Sequence, residues 1–166
     1  GEDLLGKLAC DAVKGSKRVA DLFAGSGPFA LRLAETADVS AFESEAAALA
    51  ALDRAARATP GLRRITCESR DLFRRPLLAH ELTAFDAIVL DPPRAGADAQ
   101  CAQLAKSHVT RIAYVSCDVG SFARDAVTLL NGGYVLEEVT PVDQFRYSAH
   151  VELVGLFTKA PQRKKR

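Results

Sequence analysis

Two short apolar runs, each ending on a reactive side chain, constrain the fold of this chain most strongly. Ile88–Leu90 is a compact aliphatic run that ends at Asp91, where two prolines stop strand pairing. Ala113–Ser116 is a second run of this kind and ends at Cys117. Residues just past the carboxyl ends of parallel strands line the ligand crevice of an open α/β sheet. The sequence therefore predicts a carboxylate and a thiol on neighbouring strand ends, facing one site.

Strand and helix patterns alternate along the rest of the chain, as in a parallel sheet with helices on both faces. The predicted strands cover residues 18–23, 38–42, 63–68, 85–90, 110–116, 134–142 and 149–158. The predicted helices cover residues 2–14, 28–36, 44–58, 76–82, 98–106 and 119–131. The last helix should end in a glycine cap at Asn131-Gly132-Gly133, and the last two strands should pair as an antiparallel hairpin. These patterns predict one domain over residues 1–160 and a basic, disordered tail over residues 161–166.

Composition excludes several classes of protein. The chain has 166 residues, of which 48% are hydrophobic and 26% charged, as expected of a soluble globular domain rather than a disordered one. The longest apolar runs are too short to cross a membrane, and the first residues lack a signal-peptide pattern. The absence of an initiator Met suggests a fragment of something longer. We expect a monomer.

The four cysteines are widely spaced, without a CxxC pair or a Cys/His cluster, at Cys10, Cys67, Cys101 and Cys117. This spacing argues against a zinc or iron–sulfur site within the chain and favours a reduced, cytoplasmic compartment. The net charge of +1 gives no overall basic field. Basic residues cluster at Arg63, Arg64, Arg70, Arg74 and Arg75, and again from Lys159 to Arg166. A solvated surface and an RNA-facing patch explain these clusters equally well.

The segment from Asp21 to Ala30 reads DLFAGSGPFA and lies between the first strand and its helix. Gly25 and Gly27 let the backbone approach a ligand closely, and the helix N-terminus is aimed at the same place. Glu43, at the end of the second strand, can accept hydrogen bonds from two ribose hydroxyls. This pattern serves NAD, FAD and S-adenosylmethionine equally, and a tight turn without a ligand also fits it.

The motif after the fourth strand narrows these choices. Enzymes that methylate planar nitrogens commonly carry [DN]PP[YF] at this position, whereas this chain has DPPRAGA at 91–97 and YVSCD at 114–118. Together with DLFAGSGPFALRLA, AFESEAAAL and the run from 114 to 157, these motifs resemble the RNA (uracil-5-)-methyltransferase family. The resemblance covers most of the chain, from Val19 to Phe157, and implies a Rossmann-like class I methyltransferase fold.

The resemblance also implies roles for single residues. The S-adenosyl-L-methionine site would include the motif residues Phe23, Gly25, Gly27, Glu43, Asp71 and Asp91. Cys117 would be the nucleophile, Glu152 the general base, and Asp91 would also lie beside the target base. The substrate would be a uridine in tRNA or rRNA. The family's cofactor-binding Gln, its RNA-binding N-terminal domain and, in some members, an iron–sulfur cluster lie upstream of the region present here.

Departures from the family pattern flank the predicted site. Asp118 replaces an Asn, Val119 replaces a Pro, and Arg146-Tyr147-Ser148 replaces Pro-x-Thr. These changes bear on which target is chosen, while Cys117 and Glu152 are retained.

The predicted chemistry needs a thiolate that adds to uracil C6 and a base that removes the C5 proton. Cys117 precedes a predicted helix, whose positive end should favour the thiolate. Glu152 lies in an apolar strand, and His150 shares its face and could orient it. Two alternatives stay open: a nucleobase N-methyltransferase that would use the DPP loop without the thiol, and a non-catalytic cofactor-binding module.

Overall fold

A computed structural model describes residues 2–143 and 151–163 of the chain. The strands are β1 (Arg18–Leu22), β2 (Asp38–Glu43), β3 (Ile65–Ser69), β4 (Ala87–Leu90), β5 (Arg111–Ser116), β6 (Val135–Asp143) and β7 (Val151–Thr158). The α-helices are α1 (Glu2–Ala12), α2 (Pro28–Leu33), α3 (Ala46–Ala58), α4 (Asp98–Ala105) and α5 (Val119–Asn131). In these described residues, no helix is long and apolar enough to span a membrane.

The seven strands form one sheet in the order β3-β2-β1-β4-β5-β7-β6. Strands β1 to β5 pair in parallel, whereas β7 is antiparallel to both β5 and β6. The predicted seven-stranded, mostly parallel sheet with an antiparallel C-terminal hairpin is therefore confirmed. The strand order reverses between β1 and β4, and such a switch point opens a crevice at the carboxyl ends of the strands.

Helices cover both faces of the sheet and divide the core into two layers. One layer lies under α1, α2 and α3 and contains strand residues such as Val89, Val115 and Val154. The other lies under α4 and α5 and contains Leu90, Tyr114 and Phe157. Because side chains alternate along a strand, Asp91, Cys117 and Glu152 fall on the same face as the first group.

Most predicted boundaries hold to within a few residues, with one informative difference. The short helix expected near 76–82 is a 3-10 helix at Glu81–Ala84, while Glu81 itself binds the Arg70 guanidinium. The predicted glycine cap of α5 is present, because Gly133 has a φ of +97° and the Tyr134 N–H donates to the Leu129 carbonyl. Residues 144–150 and 164–166 lie outside the described part of the chain, and with them Arg146-Tyr147-Ser148, His150 and the end of the predicted tail.

Candidate active site

A cavity of about 500 Å³ opens where β4 and β5 end and β7 begins, beside α1 and α2. Its lining residues are Asp3, Leu5, Gly6, Pro28, Phe29, Arg32, Asp91, Val115 and Glu152. The structure thus brings together two of the predicted site residues, Asp91 from the β4 end and Glu152 from the start of β7. Arg32 provides a cation in the wall and pairs with Asp3 of α1.

The electrostatics of the cavity are dominated by carboxylates. Burial, followed by the negative charge of Glu152, raises the pKa of Asp91 to about 7. Burial also raises the pKa of Glu152 above its ordinary value. Two acids that share a poorly hydrated site favour a cationic ligand, because a positive charge would stabilise both carboxylates.

Asp21 extends this acidic region below the surface. Its side chain is fully buried on β1, and neither carboxyl oxygen has a hydrogen-bond partner in the described residues. Burial and then the nearby Asp91 raise the pKa of Asp21 well above its usual range. A buried acid without a partner is costly, and sequence reasoning missed it, although an acid inside an apolar strand was the available signal.

Cys117 lies at the end of β5, exposed to solvent and one residue before the N-cap of α5. Burial of its sulfur, followed by the charges of Glu152 and then Asp91, raises the pKa of the thiol. The sheet register brings Cys117 beside Glu152: Ser116 pairs with Leu153 across β5 and β7, so Cys117 and Glu152 occupy the next positions, although the cavity lining does not include Cys117. Burial and the neighbouring acids oppose ionisation of this thiol, whereas the helix end was expected to favour it.

The loop between β1 and α2 has the tight backbone that its glycines predicted. Phe23 has a φ of +61°, and Gly25 and Gly27 have φ values of +57° and +91°. A Cβ at Gly25 would meet nothing within 4 Å, so its surface is open. A Cβ at Gly27 would lie 2.1 Å from Leu52 Cδ1, so packing against α3 accounts for that glycine.

Glu43 holds this loop in place. Its Oε1 accepts a hydrogen bond from the Gly25 N–H at 2.9 Å, and its Oε2 accepts one from the Glu45 N–H at 2.8 Å. Each carboxylate oxygen can accept a further hydrogen bond, so both remain available to hydroxyl groups of a ligand.

Asp71 lies beyond β3, beside the same loop. Its Oδ1 accepts from the Phe73 N–H at 3.0 Å, forming a turn that presents Phe73 to solvent with 47% of its surface exposed. The Phe73 ring packs on Phe23, with centroids 5.2 Å apart. Sequence reasoning missed Phe73, because neither its exposure nor its partner can be recognised from local sequence.

The first basic cluster is engaged largely in ion pairs. Arg70 binds Glu81 and Glu68, with 13% of its side chain exposed. Arg63 pairs with Asp38, and Arg74 lies 3.8 Å from Asp71. Arg70 is therefore a structural residue, whereas the side chains of Arg63 and Arg74 stay 56% and 87% exposed.

The four thiols are free, and the described residues contain no group of three or more side chains that could hold a metal ion.

Comparison with known proteins agrees with this geometry. The sequence profile of tRNA (uracil-5-)-methyltransferases matches residues 4–160. An uncharacterised RNA methyltransferase of Rhizobium meliloti is 56% identical over 158 residues, which are 95% of this chain and 38% of that protein. The 23S rRNA (uracil(1939)-C(5))-methyltransferase RlmD of Chromohalobacter salexigens is 42% identical over 92% of this chain and 31% of its own length.

A solved structure gives the same picture. The tRNA (uracil-54, C5)-methyltransferase of Pyrococcus abyssi, in complex with S-adenosyl-L-homocysteine, superposes with a TM-score of 0.80 at 28% identity. The match covers 94% of this chain and 37% of that protein. The chain therefore spans about two fifths or less of the length of these relatives.

Proposed function

Because this chain belongs to the tRNA (uracil-5-)-methyltransferase family, we propose that it is the catalytic part of an enzyme that methylates C5 of a uridine in tRNA or rRNA. S-Adenosyl-L-methionine is the methyl donor in this proposal, and residues 1–160 form the catalytic domain. The RNA-binding part would belong to the remaining length that the relatives have and this chain lacks.

The observation that carries the proposal is the cavity shared by Asp91 and Glu152, together with the β5–β7 register that puts the Cys117 position next to Glu152. A thiol and a carboxylate on one side of a pocket are what C5 methylation requires. Methylation of a nitrogen needs neither, because a ring nitrogen is already nucleophilic.

The residues present also fit the cofactor. Gly25 leaves open space beside the β1–α2 loop, and the free lone pairs of Glu43 suit ribose hydroxyls. Phe23, Asp71 and Gly27 complete the proposed cofactor site at the same loop and at the β3 end. When bound, S-adenosylmethionine supplies an electrophilic methyl group on a cationic sulfonium, which suits a cavity walled by Asp91 and Glu152.

The chain's own residues then perform the acid–base and nucleophilic steps. The Cys117 thiolate adds to C6 of the uracil and thereby makes C5 nucleophilic. Once C5 carries the methyl group, Glu152 accepts the C5 proton and the bond between sulfur and C6 breaks, which restores the double bond. The raised pKa of Glu152 makes its carboxylate a stronger proton acceptor. Asp91 lies beside the cofactor and the target base in this arrangement.

The product of the reaction tests the proposal. The full-length protein would be incubated with unmodified RNA and S-adenosylmethionine, and the digested nucleosides identified by mass spectrometry. We expect 5-methyluridine with the wild type and with Cys67→Ala, whose thiol lies on β3, and none with Cys117→Ala. Methylated guanosine or adenosine formed equally by Cys117→Ala would favour an N-methyltransferase, and no methylated nucleoside with any variant would favour a binding module.

A further inference from the structure

The loop after β4, residues 91–97, runs against the first turns of α5. It begins at Asp91, while α5 begins two residues after Cys117. The contact between this loop and α5 therefore joins two of the proposed reactive positions. The motifs DPPRAGA and YVSCD do not by themselves show what holds the 91–97 loop against α5.

Three side chains of α5, spaced so that they share one face of the helix, bind three backbone groups of the loop. Ser121 Oγ donates to the Arg94 carbonyl at 2.9 Å, Arg124 Nη2 donates to the Ala95 carbonyl at 2.9 Å, and Asp125 Oδ2 accepts from the Ala97 N–H at 2.8 Å. These hydrogen bonds hold the loop against α5 at three positions, residues 94, 95 and 97.

Asp125 is the centre of this network. Its side chain is fully buried, and its Oδ2 also accepts a hydrogen bond from the Tyr114 hydroxyl at 2.5 Å. Its Oδ1 accepts from Arg124 Nε at 3.1 Å and Nη2 at 3.0 Å. A buried carboxylate that is fully paired fixes the geometry of its partners, because leaving any of them unpaired is costly.

Gly96 shows how closely the loop approaches the helix. It has a φ of +78°, and a Cβ there would lie 2.6 Å from Arg124 Nη2 and 2.8 Å from Asp125 Oδ2. The close contact with Arg124 and Asp125 therefore accounts for the glycine of the DPPRAGA motif. Two prolines separate Asp91 from Arg94, whose carbonyl is bound by Ser121. Because the φ angles of both prolines are fixed, holding Arg94 in place also restricts the position of Asp91.

We propose that Asp125 is a positioning residue: together with Arg124 and Ser121 it holds the 91–97 loop against α5 and so fixes Asp91 relative to Cys117. This inference rests on the proposed function, in which both residues face the reacting base. Misplacement of a reacting group by about 1 Å can reduce a rate about 100-fold, so a clamp of this kind has a measurable effect on catalysis.

Variants of the full-length protein separate positioning from general stability. Two substitutions, called the clasp variants, remove side-chain hydrogen bonds to the loop: Ser121→Ala removes the one to Arg94, and Arg124→Gln removes the one to Ala95 together with those to Asp125 Oδ1. Asp125→Asn removes the charge at the centre of the network. Val127→Ala changes an exposed side chain of the same helix and is the control. We expect the two clasp variants to lower kcat about 10-fold or more, with the Kd for S-adenosylhomocysteine changed less than about threefold. The Tm of Ser121→Ala should remain within about 3 °C of that of the wild type, whereas Arg124→Gln also leaves the buried Asp125 Oδ1 unpaired and should lower the Tm by more.

Hydrogen exchange of the loop amides provides a readout that is independent of activity. Exchange at 94–97 should become faster in the clasp variants and in Asp125→Asn, and unchanged in Val127→Ala. Faster exchange with wild-type kcat in both clasp variants would overturn the positioning role alone. Unchanged exchange would show that the clamp does not hold the loop. Absence of C5 methylation by the wild type would overturn the proposed function, and this role with it.

Discussion

Replacement of Asp91 by Asn tests whether the cavity is as acidic and poorly hydrated as its geometry indicates. Burial and Glu152 raise the pKa of Asp91 from an ordinary value of 3.8 to about 7. Between these values the native state binds a proton at Asp91 that the unfolded state has released. Because stability falls with rising pH wherever the native state binds more protons, Asp91 destabilises the fold progressively from about pH 4 to pH 7.

The difference in pKa, 7 less 3.8, is about 3 units and corresponds to about 4 kcal/mol at pH 8. Partial hydration of the side chain reduces this, so we expect Asp91→Asn to raise the free energy of unfolding by about 2–4 kcal/mol at pH 8. The gain should shrink to under about 1 kcal/mol near pH 4, where the native side chain is protonated and the unfolded one is already about half protonated. The same substitution should abolish methylation, since the carboxylate is part of the proposed site.

Urea unfolding followed by circular dichroism at pH 4, 6 and 8 would measure this dependence. Asp11→Asn, at an exposed position of α1, is the matched control for the same change of side chain. A stability difference between Asp91→Asn and the wild type that stays constant from pH 4 to pH 8 would refute the reasoning. It would mean that Asp91 titrates as a hydrated carboxylate.

Three further substitutions test other parts of the account. Glu152→Gln should still permit methyl transfer but slow product release by about 10²–10⁴-fold, so a methylated protein–RNA adduct should accumulate on natural RNA. A denaturing gel would show this adduct, and normal turnover would exclude Glu152 as the base. Glu43→Ala should weaken calorimetric binding of S-adenosylhomocysteine by about 1–3 kcal/mol, and measurable binding of NAD without S-adenosylhomocysteine binding would contradict the cofactor assignment. Gly27→Ala should lower the free energy of unfolding by about 2–4 kcal/mol, because the new Cβ would collide with Leu52. Gly61 has a similar φ of +81° but open space around it, so Gly61→Ala should lower that free energy by only about 1–2 kcal/mol, and equal effects would show that the Leu52 contact is unimportant.

The strand ends were predictable because their chemistry is local. The prolines after Asp91 must end β4, and the short, mainly apolar run before Cys117 is recognisable without any tertiary information. The carboxyl ends of parallel strands lie at the same edge of the sheet. Once both strands are assigned to a parallel sheet, the carboxylate and the thiol are therefore expected at that edge. The antiparallel C-terminal hairpin could also be predicted from the sequence, and its second strand, β7, places Glu152 in the cavity wall.

The parts that could not be predicted depend on contacts between distant segments. The sequence places Gly27 in a loop that can approach a ligand, and only the fold shows that Leu52 of α3 also packs against it. Asp125 looks like an ordinary helix residue in the sequence, yet it is buried against Tyr114 and the loop after β4. The helix end beside Cys117 can be recognised in the local sequence, whereas the burial of the thiol and the charge of Glu152, 35 residues later in the chain, depend on the fold.

The central claim is that Cys117 forms a covalent bond to C6 of the target uracil. RNA with 5-fluorouridine at the target position has no C5 proton for Glu152 to remove, so the adduct should persist. The measurement is mass spectrometry of the protease-digested complex of the full-length protein. The account predicts a peptide that carries the methylated fluorouridine on Cys117, and its loss in Cys117→Ala. An adduct on another residue, or an unchanged adduct in Cys117→Ala, would contradict it.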